Sequence, residues 1–344
     1  MTSWARVDLA ERARDLAPDD RAGALALSRE LSGVETSLGG GDTWGYLSVL
    51  ATLGSVDLTV ARTVEPHLDA LSILHQVEPP VDLSAIGADD SSTWGVYAAH
   101  APGARLEARR QGQEAVWLLD GTKPWCSLAA DVSHAVITAH TGPTSRRAFA
   151  ISLGDGVSPL PGTWVSRGLV DVPSGGLQLD GVVGVSVGGD EWYLSRPGFA
   201  WGGIAVAAVW FGAAQALRST LVAVAQRREP DQIALMHVGH LDALLFAAES
   251  TLRQAADAID AGAAGGEHGA VLAARVRAVV AAAAETCLVV AGHALGPAPL
   301  TADEDHARRV ADLTVYVRQH HAERDLAALG SLVVGSMAVD RAQE

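Results

Sequence analysis

Cysteine and basic residues are scarce in this chain of 344 residues. Cys126 and Cys287 are its two cysteines, and neither belongs to a Cys-x-x-Cys pair. Because they can form neither a disulfide framework nor a thiolate zinc site, we expect a reducing, cytoplasmic environment. Lysine and arginine number 25 against 40 for aspartate and glutamate, and the formal net charge is -15. A chain without a basic face releases few counterions from a phosphate backbone, which argues against a nucleic-acid partner.

The sequence also lacks an apolar leader and an uninterrupted run of membrane length. Charges occur throughout residues 1–20, so no secretory signal is expected. Of two Ala-rich apolar stretches, 204–217 is too short to span a bilayer and 271–291 contains three charged residues. We therefore predict that both stretches form buried helices and that the protein has no membrane partner.

Hydrophobic residues make up 49% of the chain, which is enough for two or three packed units. Leucine and alanine recur at helical spacing in residues 1–84, which predicts an N-terminal helical domain. Residues 85–190 contain six or seven short apolar runs separated by turn residues, typical of a small antiparallel sandwich or barrel. Residues 191–344 contain four long Ala-rich segments, the last at 303–329, which predict a four-helix bundle. The predicted fold class is α+β.

The most informative stretch of the β region is 120–131, DGTKPWCSLAAD. Gly121 forms a turn, after which Trp125, Cys126 and Ser127 place a flat ring beside small polar groups. This combination suits contact with a planar, redox-active ring, but a tryptophan buried in a sheet has the same signature. The residues alone leave both interpretations open.

With the strand HAVITAHT that follows it, and with the order helical, β, helical, this stretch resembles the acyl-CoA dehydrogenase superfamily of flavoproteins. GTKPWCSLAAD is similar to the family's G-x-K-x-W-I-[TS]-N-A-x-x-A-D motif, and GLVDVPSGGLQLDGVVGV resembles the strand pair that ends in its f-D-x-V-x-V-P motif. The resemblance implies FAD as the cofactor, with Trp125 packed against the isoalloxazine and Ser127 near its N5. Cys126, between them, is assigned to the same cofactor-binding segment.

The resemblance also implies a homodimer or homotetramer. Gly292 and Gly296, in AGHALGP, are similar to the glycine turn with which the family contacts the FAD of a neighbouring subunit. The family's R-x-x-F-G pyrophosphate motif is reduced to QRREP, so Arg227 and Arg228 are the candidates for phosphate contact. Where the T-E-P-x-x-G-S-D loop is expected the chain reads HAPGAR, and its first residue, His100, is a substrate-binding candidate. These departures also motivate a different hypothesis, a flavin-free scaffold or partner subunit.

The last helices are where the family carries its catalytic glutamate. Counting on from Asp312 by the family's spacing reaches His320, so a histidine takes the glutamate's place as the proton-transfer group. If the helix continues, Asp312, Tyr316 and His320 lie on one face by the i, i+4 rule, and Tyr316 is then a substrate-binding candidate.

The chain is also similar, in three polar residues, to a second branch of the superfamily, the flavin-dependent monooxygenases. Ser127, His67 and His320 occupy comparable places, with His67 directly after Pro66, which is expected to kink its helix. The resemblance implies hydrogen bonds from these groups to oxygen activated by the flavin. The sequence thus predicts an FAD-dependent oxidoreductase acting on an acyl thioester or small organic molecule, with a monooxygenase of the same fold as the alternative. No metal is expected, because the Glu-x-x-His repeats of di-iron bundles are missing.

Overall fold

The computed structural model describes residues 4–16, 19–32, 37–112, 116–162, 164–227 and 229–343, with side chains as far as residue 335. Its first part is helical. The helices are α1 (Val7–Arg14), α2 (Arg21–Ser32), α3 (Thr43–Val56) and α4 (Leu58–His75). Asp42 and Asp57 cap α3 and α4 by accepting a hydrogen bond from a free amide of the first turn.

The middle part is a seven-stranded sheet. Its strands are β1 (Trp94–Tyr97), β2 (Leu106–Arg110), β3 (Val116–Ser127), β4 (His134–His140), β5 (Arg146–Ser152), β6 (Val157–Pro159) and β7 (Ser174–Val187). β3 and β7 form its long central pair.

The sheet is mixed, which corrects the prediction of a purely antiparallel one. β1 pairs with β4 in parallel, from Trp94 opposite His134 to Tyr97 opposite Ile137, and β2 meets β4 in parallel at one residue pair. The pairs β2–β3, β3–β7, β7–β5 and β5–β4 are antiparallel. An alternating apolar pattern marks where a strand lies but does not specify its partner, and here the β2–β3 hairpin intervenes in the chain between β1 and β4.

The last part is helical again. Its helices are α5 (Trp192–Ser195), α6 (Pro197–Gln226), α7 (Gln232–Asp260), α8 (Gly266–Leu295), α9 (Ala298–Ala302), α10 (Glu304–Tyr316) and α11 (Glu323–Gln343). By length and composition α6 and α8 are apolar enough to cross a membrane, and in the structure they pack against each other. The backbones of α3 and α6 also approach closely, because a Cβ at Gly212 would lie 1.9 Å from the carbonyl oxygen of Ala51.

The predicted helix over 303–329 is wrong, because the chain forms two helices there. α10 ends at Tyr316, a 3₁₀ turn covers Val317–Gln319, and His320 has an extended backbone with φ -86° and ψ 117°. Ala322, with φ 48°, then redirects the chain into α11. The i, i+4 stripe of Asp312, Tyr316 and His320 therefore does not exist.

Candidate functional site

Trp125 sits on a bulge in β3. The register between β3 and β7 shifts between Lys123 and Cys126, and Trp125 there has φ 60° and a side chain that is 57% exposed. A bulge re-aims a side chain, and a strained backbone at such a place is a common feature of ligand sites. The interpretation of this tryptophan as a core residue is therefore wrong.

The exposed ring lines a groove of about 310 Å³, here called the platform groove. Its other walls come from the loop after β1, the segment between β6 and β7, and the start of β7; they include Ala101, Leu160, Trp164, Gly175 and Gly176. A Cβ on Gly175 would meet no other atom within 4 Å, so the groove beside it is open. One flat ring facing small residues is suited to a planar ligand.

Ser127 connects this region to the helices. Its hydroxyl lies 2.7 Å from that of Ser174 and accepts a hydrogen bond from Nη2 of Arg62 at 3.3 Å. Arg62, on α4, also donates from Nη1 to Oε2 of Glu65 at 2.5 Å. A continuous set of contacts thus runs from the flavin-type motif of β3 to a buried ion pair on α4.

Glu65 belongs to the wall of a second space, a cavity of about 570 Å³ here called the helix cavity. It is enclosed by α4, the beginning of α6, the beginning of α8, the loop before α11 and α11 itself. Small residues such as Gly203 and Ala273 line much of it, and the polar residues are concentrated on α4 and on the loop.

Two carboxylates of α4 face this cavity one helical turn apart. Burial raises the pKa of Glu65, although Arg62 opposes the shift. Burial, and then the charge of Glu65, raise the pKa of Asp69 to about 7. The carboxylate of Asp69 has no hydrogen bond or ion pair with any residue that the structure describes. A carboxyl in this environment can exchange a proton near neutral pH.

His320 lines the helix cavity as well. Its side chain is 8% exposed, and its Nε2 lies 4.0 Å from Oδ2 of Asp325 on α11. Burial lowers the pKa of His320, an effect that Asp325 opposes. The neighbouring His321 also faces the cavity, with Nδ1 3.3 Å from Oδ1 of Asp325. The break between α10 and α11 brings both imidazoles to the same space.

His67 lies elsewhere. Its Nδ1 accepts a hydrogen bond from the backbone N–H of Trp94 at 3.2 Å, and its Nε2 is 2.6 Å from the hydroxyl of Ser32. With Nδ1 accepting, Nε2 carries the proton and donates. Burial lowers the pKa of His67 to about 4. The neutral ring joins α2, α4 and β1 and lines neither the platform groove nor the helix cavity.

Two further predicted residues are in the protein interior. Tyr316 is 1% exposed, packs edge-on against Trp210 and lies beneath Arg62, so it does not line the helix cavity as predicted. Cys126 is buried in the sheet core, where burial raises the pKa of its thiol to about 12. It neighbours Trp125 in the chain but does not face the platform groove.

The remaining predicted residues lie away from both spaces. His100, whose Nε2 is 2.5 Å from Arg146, lines a small separate pocket on the sheet. Arg227 is exposed at the end of α6, and Gly292 and Gly296 are at the end of α8. The resemblance assigned the two glycines to contacts with a neighbouring subunit's flavin and Arg227 to phosphate contact, and a single chain tests neither. Arg228 lies outside the described residues.

Sequence reasoning missed the charged face of α4. Arg62, Glu65 and Asp69 are spaced i, i+3 and i+7 in an otherwise apolar helix, which puts them on one side of it. Charged residues in a helix that is buried nearly all round are unusual, and this was the available signal. Within the described ranges, no three His, Cys, Asp or Glu side chains are grouped to hold a metal ion.

The sequence matches no family profile and no curated protein. Solved structures match over almost the whole chain. KijD3, in complex with FMN and dTDP-3-amino-2,3,6-trideoxy-4-keto-3-methyl-D-glucose, has a TM-score of 0.77 at 20% identity and covers 96% of this chain and 92% of its own. Butyryl-CoA dehydrogenase from Megasphaera elsdenii has 0.76 at 16% identity, with coverages of 97% and 99%. FMN-bound TdsC from Paenibacillus sp. A11-2 has 0.74 at 16% identity, with 96% of both chains covered.

This is the acyl-CoA dehydrogenase fold. The resemblance stated from residues 120–131 and from the three-part order is thereby confirmed at the level of architecture. At identities of 16–20% the structural likeness establishes the fold only, and the chemistry has to be inferred from the residues of this chain.

Proposed function

We propose that this protein is a flavin-dependent oxidoreductase. The observation that carries the proposal is the exposed Trp125 ring, which the β3 bulge holds out into a groove whose wall includes Ser174, the partner of the Ser127 hydroxyl. The platform groove fits a flavin: Trp125 would stack on the isoalloxazine, the glycines of β7 would admit its flat face, and Ser127 would hydrogen bond to its edge. Bound there, a flavin supplies two-electron redox chemistry.

The substrate is proposed to enter the helix cavity. Arg62 orients the Ser127 hydroxyl and is itself fixed by Glu65. His320, neutral because its pKa is lowered, accepts a proton from the substrate at the cavity wall. Small residues of α6 and α8 leave room beside these groups for the substrate.

Two reactions of this class are compatible with the site. The primary proposal is oxidation of an acyl thioester or another small organic molecule, with His320 in the place of the family's glutamate. The alternative is oxygenation, which the position of His320 also supports. With His67 bonded to Ser32 and Trp94, that alternative rests on Ser127 and His320 alone. Admitting oxygen to the reduced protein separates them: transfer of an oxygen atom into the substrate identifies the alternative.

The cofactor is proposed to be FAD, as the sequence resemblance implies. FMN, which KijD3 and TdsC hold, is the alternative, and the reduced pyrophosphate motif at Arg227 and Arg228 favours it. Mass spectrometry of the flavin released from purified protein distinguishes the two.

A homo-oligomer is also proposed. Large apolar side chains are exposed along α7 and continue on its neighbours; they are Ile233, Leu235, Met236, Phe246, Val289 and Val334. Apolar area of this kind is buried in stable assemblies. Light scattering on the purified protein should give the mass of a dimer or a tetramer.

The decisive experiment for the function is an absorbance spectrum of the purified protein, followed by titration with FAD and FMN. We expect flavin bands or saturable binding of one flavin per chain. If neither flavin binds, both redox proposals fail together and the hypothesis of a flavin-free scaffold takes their place.

A further inference from the structure

Asp69 lines the helix cavity on the same helix, α4, whose Arg62 reaches Ser127 of β3. Arg62, which reaches Ser127, and Asp69, which lines the cavity, are seven residues apart on α4. At 1.5 Å per residue, this separation is about 10 Å along the helix axis. A ligand in the helix cavity whose reacting end lies towards Arg62 would bring a group about 10 Å away to Asp69.

The protein itself does not satisfy the carboxylate of Asp69. No donor within the described chain hydrogen bonds to it, and no cation lies within 4.0 Å of it. Of the two arginines of the same cavity, Arg277 donates to the carbonyl oxygens of Gly203 and Gln319. Arg196 donates to that of Tyr193, and its charge lowers the pKa of Asp69 without forming a hydrogen bond or an ion pair with it. Asp69 is left facing the open space with its acceptor capacity unused.

The wall beside this carboxylate is small, which leaves room for a ligand group. A Cβ on Gly202 would lie 3.4 Å from Oδ1 of Asp69, so the backbone of α6 approaches closely without covering it. Alanines of α8 and glycines of α6 form the neighbouring surface. An alkyl chain placed there would desolvate the carboxylate without offering a donor, which is unfavourable.

We propose that Asp69 binds a hydrogen-bond-donating group, an ammonium or a hydroxyl, at the far end of the ligand in the helix cavity. Among acyl thioesters and other small molecules, the site thereby selects those that carry N–H or O–H on the group beside Asp69 and disfavours a plain alkyl end there. This preference defines a substrate class for the proposed oxidoreductase. It depends on the proposed function only because it treats the ligand as a substrate.

Three probes of equal shape test the selection: cyclohexylamine, cyclohexanol and cyclohexanone, titrated at pH 8 into the purified protein and followed by ligand-observed NMR. The amine and the alcohol donate hydrogen bonds, whereas the ketone only accepts them. We expect cyclohexylamine or cyclohexanol to bind at least fivefold more tightly than cyclohexanone.

Two variants of one residue separate the two donors. Asp69→Asn keeps an acceptor oxygen but removes the charge, so a site for ammonium loses about tenfold in affinity for the amine while alcohol binding persists. Asp69→Leu removes the acceptor, and a site for hydroxyl then loses its preference for the alcohol as well. Asp155→Asn, at an exposed loop position outside the cavity, is the control and should keep the preference. Thermal melts confirm that each variant is folded.

Equal or tighter binding of the ketone, an unchanged preference in Asp69→Leu, or binding of none of the probes overturns the proposal. Flavin content is measured on the same samples. If the protein does not bind flavin but shows a probe preference that depends on Asp69, the proposed function is refuted and the Asp69 site is supported. If the protein binds flavin but shows no such preference, the proposed function is supported and the Asp69 site is refuted.

Discussion

Asp69 is an aspartate whose folded environment disfavours its charge. It faces Glu65 and Arg62 of its own helix, and Arg196 and Tyr193 near the start of α6. Tyr46 of α3 is close enough for Asp69 to raise its pKa. A carboxylate in this environment lowers the stability of the folded protein. Such a residue is expected where the side chain binds a ligand rather than stabilises the fold.

Asp69→Asn should therefore stabilise the protein at pH 8. Burial raises the pKa of Asp69 to about 7, whereas an unfolded aspartate titrates near 4. Between these values the unfolded chain has lost a proton that the folded chain keeps, so this group lowers stability as pH rises from about 4 to 7. The neutral amide escapes that penalty, and we expect a gain of about 1–2 kcal/mol at pH 8 that shrinks towards pH 4.

Denaturant titrations at pH 4.5, 6 and 8 measure this gain. Asp155→Asn, at an exposed loop position, is the control and should follow the native pH profile. A variant at position 69 that is less stable than the native protein at pH 8 would mean that the carboxylate has a stabilising partner in solution.

His320 is the second residue with a specific kinetic prediction. His320→Ala should slow single-turnover flavin reduction by about a hundredfold, since general-base catalysis typically contributes that much. Because burial lowers the pKa of His320, the native rate should hold as pH falls below 6.5 and drop only as the imidazole is protonated. His321→Ala, the exposed neighbour at the same cavity, is the matched variant. Equal rates for native protein and His320→Ala would remove His320 from the mechanism.

At the scale of elements, the β3 bulge converts a strand residue into a binding surface. On a regular strand Trp125 would share the face of Leu119 and Lys123, which are buried; after the bulge it is Cys126 that is buried instead. The register with β7 is lost between Lys123 and Cys126, and Trp125, with its positive φ, lies within that interval. The function of this stretch thus depends on an irregularity of the ladder.

Trp125→Ala should weaken flavin binding by about tenfold, because stacking on an aromatic face contributes about 1–2 kcal/mol. Stability should change little, since more than half of the ring is exposed. Quenching of flavin fluorescence during titration measures the affinity. Trp117→Phe, on the same strand but packed against Phe149 inside the sheet, is the control for general damage to β3. Unaltered flavin affinity in Trp125→Ala would place the flavin elsewhere.

The break between α10 and α11 is the second element that decides the site. RQHHAER contains neither proline nor glycine, so no helix-breaking signal marks it. Tertiary contacts take over the backbone groups that the break frees: Arg277 of α8 donates to the carbonyl oxygen of Gln319, and Asp325 accepts from the N–H of His321. With those groups satisfied, both histidines are presented to the helix cavity.

At the scale of the whole molecule, Arg308 joins three parts of the chain. From α10 it lies 2.9 Å from Asp171 of the loop before β7 and 3.5 Å from Asp57 at the start of α4. It also lies 3.8 Å from Asp312, which accepts a hydrogen bond from the backbone of Leu169. Burial raises the pKa of Asp312 to about 6, and Arg308 opposes that shift. One guanidinium therefore compensates carboxylates from all three regions of the fold.

Arg308→Ala should destabilise the protein by about 2–4 kcal/mol at pH 8, because it leaves partly buried carboxylates without a cation. The loss should be smaller at pH 5, where Asp312 binds a proton in the folded state and the repulsion falls. Arg318→Ala, which breaks an exposed pair with Glu285, should cost less than about 1 kcal/mol. Urea titrations at both pH values measure these differences, and equal losses in the two variants would contradict the role given to Arg308.

Local patterns were sufficient for the order of elements and for the identity of the flavin-type motif. Helical spacing, short apolar runs and turn residues act between neighbours in the chain, and a motif such as residues 121–131 is read without knowledge of contacts. The same reasoning singled out Trp125, whose ring lines the platform groove. It also singled out His320, which lines the helix cavity, through a count of residues rather than through the helical face assumed for it.

Only the tertiary structure decided which charged residues share a space. The parallel pairing of β1 with β4, the bulge at Trp125, the burial of His67 and Tyr316, and the exposure of Asp69 to the helix cavity all depend on groups distant in sequence. Solvation and Coulomb interactions depend on distance in space, so a pKa near 7 at Asp69 or an ion pair between Arg62 and Glu65 follows from the packing of α4 against α6 and the sheet. The chain's own order specifies a flavin-type scaffold, and its packing selects the residues that give that scaffold a binding site.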